Sequence, residues 1–92
     1  MAYARRVDGN QPEIVQALRC VGASVTHLHT VGHGVPDILV GFRGVTYLMG
    51  IKTTKGRLTR DEKRWINDWC GQVAVVRSVD EALATVGAII DG

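Results

Sequence analysis

Arg43-Gly44 interrupts two apolar, β-branched runs, Asp37 to Phe42 and Val45 to Lys52, and this break constrains the chain more than any other feature. A two-residue loop between strands closes a β-hairpin and fixes its register, because every pairing is counted outward from the turn. Gly suits the second turn position; Arg is not favoured at the first. Phe42 then pairs with Val45, and counting back sets Asp37 opposite Gly50. Side chains alternate along a strand, so Asp37, position 50 and Lys52 share one face at the open end of the hairpin. Directly opposed positions bring Cβ atoms within about 4.5–5.5 Å of each other. A slip of one residue would disperse all three.

The remaining segments build a small fold around this hairpin. At 92 residues the chain amounts to one domain, spanning residues 1–92, and domains of this size bury only about 60–65% of their unfolded surface. Asn10 and Glu13 have the spacing of a capping box, Pro12 fits a first helical turn, and Ile14, Leu18 and Val21 recur at helical spacing up to Gly22. A helix over about 11–21 follows. Ser24 to Thr30 reads as a strand ended by Gly32-His33-Gly34, and Pro36 is tolerated at the start of the next. Thr59 and Glu62 form a second capping box, after which Trp65, Ile66, Trp69 and Cys70 make an apolar helical stripe closed by Gly71. Val73 to Val76 fits a strand buried on both faces. Ser78 and Glu81 start a last helix carrying Leu83, Val86 and Ile90. The predicted order is α-β-β-β-α-β-α, an α/β fold with a mixed sheet flanked by helices.

Composition excludes several classes. Hydrophobic residues at 46% and charged residues at 22% rule out a disordered tail and a collagen-like repeat. No apolar run reaches the roughly 18 residues of a membrane span, and Met1 to Asn10 is too polar for a signal peptide, so a soluble, cytoplasmic protein is expected. A net charge of +2 does not by itself indicate a polyanion partner. The distribution is more telling: Lys52, Lys55, Arg57, Arg60, Lys63 and Arg64 cluster, either as a phosphate-facing stripe or as a solvated loop and helix face. Cys20 and Cys70 form no Cys-x-x-Cys pair and read as buried small hydrophobes.

Gly34-Val35-Pro36-Asp37, followed after twelve residues by Gly50-Ile51-Lys52, resembles the Pro-Asp…(Asp/Glu)-x-Lys signature of restriction-endonuclease-like nucleases, the PD-(D/E)XK superfamily. Its setting is similar to one branch, the virus-type replication-repair nuclease domain, VRR-NUC. The similar segments are Gly34 to Gly41, Lys55-Gly56-Arg57-Leu58-Thr59 and Gly71 to Ser78, and the resemblance runs from about Glu13 to Leu83.

The resemblance implies a restriction-endonuclease-like core and Mg²⁺- or Mn²⁺-dependent hydrolysis of DNA phosphodiesters. The metal polarises the phosphate and lowers the pKa of an attacking water, while a lysine stabilises developing charge. By the family pattern Asp37 and the backbone carbonyl of Ile51 are metal ligands, Lys52 is the catalytic cation, and Glu13 acts through water. His33, Lys55, Arg57, Arg60, Lys63 and Arg64 are the corresponding DNA-binding candidates. Stand-alone family members resemble junction resolvases, which implies branched or four-way-junction DNA, a homodimer and a phage or mobile-element origin. Gly50 departs from the pattern, since the family carries an acid there. Either an introduced substitution or natural impairment accounts for it, and in both cases this chain is expected to be nearly inert with weakened metal binding.

Each residue also has a plainer reading. Asp37 could serve local amides at strand entry, Glu13 could be the capping partner of Asn10, and Glu62, where many family members carry Gln, caps Thr59. Trp65 and Trp69 fit core or interface packing better than base stacking. His27 and His29 with Cys20 or His33 form a zinc alternative, and a catalytically inert nucleic-acid-binding module is the rival to a nuclease.

Overall fold

The structure, a computed structural model, describes residues 9–89; Ile90, assigned above to the last helix, lies outside them. Its elements are α1 (Gln11–Cys20), β1 (Ser24–His27), β2 (Ile38–Phe42), β3 (Val45–Ile51), α2 (Arg60–Asp68), β4 (Ala74–Val76) and α3 (Val79–Thr85). The four strands form one sheet in the order β1-β2-β3-β4, antiparallel through β3 and parallel between β3 and β4. This is the α-β-β-β-α-β-α mixed sheet with flanking helices that the patterning predicts.

The hairpin has the predicted register, with Phe42 paired to Val45 and Ile38 to Met49. Arg43 and Gly44 take φ values of 52° and 81°, the two positive angles that a type I′ turn requires. Arg43 accepts this left-handed backbone while its guanidinium lies 4.7 Å from the centre of the Phe42 ring, a contact that offsets part of the strain.

Alternation along β2 and β3 sends Ile38, Val40, Phe42, Met49 and Ile51 into the core, where they meet Ile14 and Leu18 of α1, Val76 of β4, and Ala82 and Val86 of the α3 region. Both α1 and α3 therefore cover one face of the sheet. The opposite face carries Asp37, Leu39, Leu48 and Gly50, all half-buried. Helix α2 buries no residue completely.

Several local expectations are corrected. Asn10 does not cap α1: its backbone is already helical, and its side-chain amide instead donates to the carbonyls of Lys52 at 3.0 Å and Arg77 at 3.2 Å. Pinning the ends of β3 and β4 satisfies two carbonyls that the sheet leaves over, and the Asn10–Glu13 box is absent. The C-terminus of α1 comes one residue early, at Cys20, in a Schellman arrangement: Gly22 N–H donates to Arg19 O, Ala23 N–H donates to Leu18 O, and Gly22 has φ 99°. Strand β1 stops at His27 rather than Thr30, because Leu28 makes the last bond to β2, through Asp37 O, and then turns back to Val31.

Strand β4 is an edge strand, not one buried on both faces: only Val76 is fully buried. The second capping box has both arms. In the third, Ser78 Oγ accepts from Glu81 N–H, but Glu81 Oε1 takes the N–H of Arg77, one residue ahead of the cap. Trp69 and Cys70 fall beyond the end of α2 and are exposed, and Cys20 is exposed as well, so neither cysteine is a core residue.

Ile38 is fully buried at the centre of this core. Ile38→Ala is expected to cost about 2–5 kcal/mol, read as a lower urea midpoint with unchanged slope.

Candidate metal and nucleic-acid site

Asp37 enters β2 immediately after Pro36, with its N–H donating to Met49 O at 3.0 Å. Its Oδ2 accepts the N–H of Ile51 at 2.6 Å, a hydrogen bond across the hairpin that continues the ladder beyond the last paired residues. The amide that Asp37 serves is not local to the strand entry but lies across the hairpin at Ile51, and this bond leads the carboxylate to the face of Gly50. A Cβ built on Gly50 would stand 4.0 Å from Asp37 Oδ2, 4.0 Å from Ala74 O and 3.9 Å from Val75 Cγ2, all ordinary contacts.

Gly50 therefore meets no steric need, and its backbone is not left-handed. Gly34 is the opposite case. Its φ is 82°, and a Cβ there would run into the backbone carbonyl of Asp61, so only glycine lets the loop before Pro36 lie against the start of α2.

Lys52 follows β3, and its N–H donates to Val76 O. Its ammonium meets both carboxylate oxygens of Glu62, Oε1 at 2.9 Å and Oε2 at 3.1 Å, with the two side chains only 13% and 24% exposed. Glu62 Oε1 also accepts Thr59 N–H at 2.8 Å, so one side chain closes the capping box and ties α2 to the end of β3. Burial pushes the Glu62 pKa up. The Lys52 hydrogen bond and charge, with the Thr59 bonds, outweigh burial and hold it below the usual carboxylate range.

The remaining candidates are placed as follows. Lys55 and Arg57 are exposed on the loop after β3, and Arg60, Lys63 and Arg64 are exposed on α2, where the i, i+3, i+4 spacing from Arg60 sets them along one side. His33 adopts φ 57° and lines a cleft of about 330 Å³ with Asp61, Arg64, Trp65, Asp68 and Trp69. Trp65 and Trp69 stack on each other with ring centres 4.7 Å apart, and Trp69 donates Nε1–H to Gln72 O. Glu13 is exposed on α1, which packs against the other face of the sheet.

A larger cleft, about 660 Å³, lies between α1 and β1 and includes Cys20, His27 and His29. His27 is paired with Gln11 and packs edge-on against His29 at 5.9 Å. Neither cleft contains Asp37, Gly50 or Lys52. Among the described residues, no group of three or more His, Cys, Asp or Glu is arranged to hold a metal ion.

Two residues were not legible as site components. Arg77 donates Nη1 to the carbonyls of Thr53 at 2.8 Å and Gly56 at 2.6 Å, fixing the loop that carries Lys55. Asn10 supports the same corner from below. The sequence signal for Arg77 is only a polar residue beside a cap, and that for Asn10 points to capping instead.

A divalent cation is tested against this geometry by the position-50 slot. Asp37 lies beside a space that a side chain at residue 50 would enter without a clash, so the corner fits a two-carboxylate site once an acid is supplied there. The chain matches no protein-family model, no curated protein and no solved structure.

Two predictions arise here. Folding lowers the Glu62 pKa, so the unfolded chain takes up this proton first on acidification; the ion pair's contribution is present at neutral pH and fades below about pH 4. The difference in urea midpoint between the parent chain and Glu62→Gln should shrink towards zero from pH 7 to pH 3. Separately, Gly50→Ala is expected to leave thermal stability unchanged or to raise it by up to ~1 kcal/mol, whereas Gly34→Ala should lower it by more than ~1 kcal/mol.

Proposed function

We propose that this chain is a VRR-NUC-like nuclease domain of the restriction-endonuclease-like class. Its chemistry is metal-dependent hydrolysis of DNA phosphodiesters, and glycine at position 50 impairs it. The observation that supports this reading most is the convergence of Asp37 Oδ2 on the open position-50 slot, 4.0 Å from its would-be Cβ, with Lys52 two residues along the same strand path.

Mg²⁺ or Mn²⁺, when bound, supplies polarisation of the phosphate and a more acidic water. Asp37 would hold it with the Ile51 carbonyl. Lys52 would place positive charge at the phosphate, after exchanging its Glu62 partner for the substrate anion. The exposed Lys55 and Arg57 of the loop after β3 and the exposed Arg60, Lys63 and Arg64 of α2 would contact backbone phosphates, with His33 as a further contact. Branched or four-way-junction DNA is the proposed substrate class. A homodimer joined either around Trp65 and Trp69 or through the last helix would give paired cuts. Among the described residues no helix is long and apolar enough to cross a membrane; a cytoplasmic site of action, that of the host if the chain is phage-encoded, belongs to the same proposal.

The competing reading, an inert nucleic-acid-binding module, is favoured by one observation. Asp37 and Lys52 are each engaged in a structural bond, to Ile51 N–H and to Glu62 respectively.

Gly50→Glu, assayed on branched and linear DNA with Mg²⁺ or Mn²⁺, separates the two. Cleavage should rise by several orders of magnitude over the parent chain and disappear again in Gly50→Glu/Asp37→Asn. DNA binding without cleavage in Gly50→Glu would leave the binding module as the function.

A further inference from the structure

Trp65 and Trp69 are the two tryptophans of the chain, and neither belongs to the core. Helix α2 buries no residue completely, and Trp69 is 43% exposed just past its end. Its indole is nonetheless held by three neighbours. It stacks on Trp65 at 4.7 Å, donates Nε1–H to Gln72 O at 3.0 Å, and lies against Gly71, where an added Cβ would come within 2.9 Å of Nε1. An aromatic surface that is ordered before any ligand arrives loses little freedom on binding one.

Both indoles line the cleft of about 330 Å³, together with Asp61, Arg64 and Asp68 of α2. His33 joins them from the loop before β2, brought there by the close approach of Gly34 to the Asp61 backbone. Among the described residues, Asp61, Arg64 and Asp68 form no ion pair.

This lining selects a class of ligand. Small-molecule pockets run from roughly 300 Å³ upward, so the cleft suits a single ring system rather than an extended ligand. Indole faces favour a planar ring, and a guanidinium stacks on one or donates to its carbonyl. Two carboxylates repel a phosphate but accept hydrogen bonds from a ring's N–H edge. A nucleobase meets all of these conditions. Arg60 and Lys63, exposed on the same helix but outside the cleft, supply positive charge for the phosphates of its strand.

We propose that the Trp65–Trp69 cleft takes one unpaired base of a DNA strand, guanine in preference to thymine, because the pairing edge of guanine offers a carboxylate two adjacent donors and that of thymine only one. The inference rests on the reading of the chain as acting on DNA and deepens it: the substrate presents a splayed base to α2, as a branch point can, and the dimer surface is left to the last helix.

With no other tryptophan in the chain, intrinsic fluorescence reports on this site alone. The intact chain is titrated, without divalent metal, with an eight-nucleotide all-thymine strand, the same strand carrying one central guanine, that strand as a duplex, and dGMP. The guanine strand should quench the emission and bind about fivefold or more tightly than the all-thymine strand. The duplex should leave the emission unchanged, and dGMP, which lacks the neighbouring phosphates, should bind about tenfold or more weakly than the guanine strand.

Variants are compared by anisotropy of labelled strands, with thermal melts to verify folding. Trp69→Ala should weaken binding of both single strands about fivefold or more. Asp61→Ala/Asp68→Ala should lose the guanine preference while binding the all-thymine strand more tightly, a gain that a damaged fold would not give. If Trp69→Ala does not fold, the aspartate variant decides alone.

Equal affinity for the two single strands, a guanine preference that survives in Asp61→Ala/Asp68→Ala, or dGMP binding as tight as that of the guanine strand overturns the proposal. Salt-dependent strand binding without base preference removes this inference and keeps the DNA reading. Failure of every strand to bind removes the two together.

Discussion

The antiparallel ladder between β2 and β3, closed by two residues with positive φ, governs the rest of the molecule. Because the loop has only two residues, Phe42 faces Val45 and every later pairing is set. One face of the ladder becomes the core under α1 and α3. The other receives Asp37 and Gly50, and the chain leaving β3 carries Lys52 to α2. A longer loop would permit a register shift, and a shift of one residue would exchange the apolar face with the one that carries Asp37 and Gly50. Stability and site geometry thus share a single origin, and the Ile51 N–H to Asp37 Oδ2 bond belongs to both.

Lys52 and Glu62 form the second junction on which the architecture depends. Helix α2 contributes no fully buried residue, so apolar burial does little to hold it. Its attachment comes instead from the ion pair at its first turn, the close packing of the Gly34 backbone against Asp61, and the Trp69 bond to Gln72 beyond its end. The basic side chains of α2 are consequently carried on an element whose position depends on charge. Salt would weaken that attachment as well as any contact with nucleic acid, although the sheltered ion pair is screened less than the exposed arginines and lysines.

The legible parts of the sequence were those governed by local rules. The order of elements, the hairpin register and the Thr59–Glu62 box follow from periodicity, turn chemistry and cap spacing, each acting over a few residues. What failed was decided at long range. Asn10 has a capping residue's identity and position, but the carbonyls of Lys52 and Arg77, 42 and 67 residues away, claim its amide. Val73 to Val76 is apolar enough for a central strand, yet only chain connectivity makes β4 an edge. The cysteines look like core residues by composition, while the C-terminus of α1 and the segment following α2 leave both outside. At the candidate site, the hairpin placed Asp37 beside position 50 from counting alone. The partnership of Lys52 with Glu62 spans a loop whose path no local pattern specifies, and there the capping role hid the ionic one.

Gln72 carries a consequence for how these molecules coexist in solution. Strand β3 is longer than β4, so the rim of the sheet beside Leu48 has no neighbouring strand. Gln72 fills the gap with its side chain, Oε1 accepting Leu48 N–H at 2.7 Å and Nε2 donating to Leu48 O at 3.3 Å, as a backbone amide would. An open rim of this kind is a template for another chain to zip onto. By occupying both hydrogen-bonding groups of Leu48, one glutamine denies that foothold and discourages sheet-to-sheet aggregation at β3.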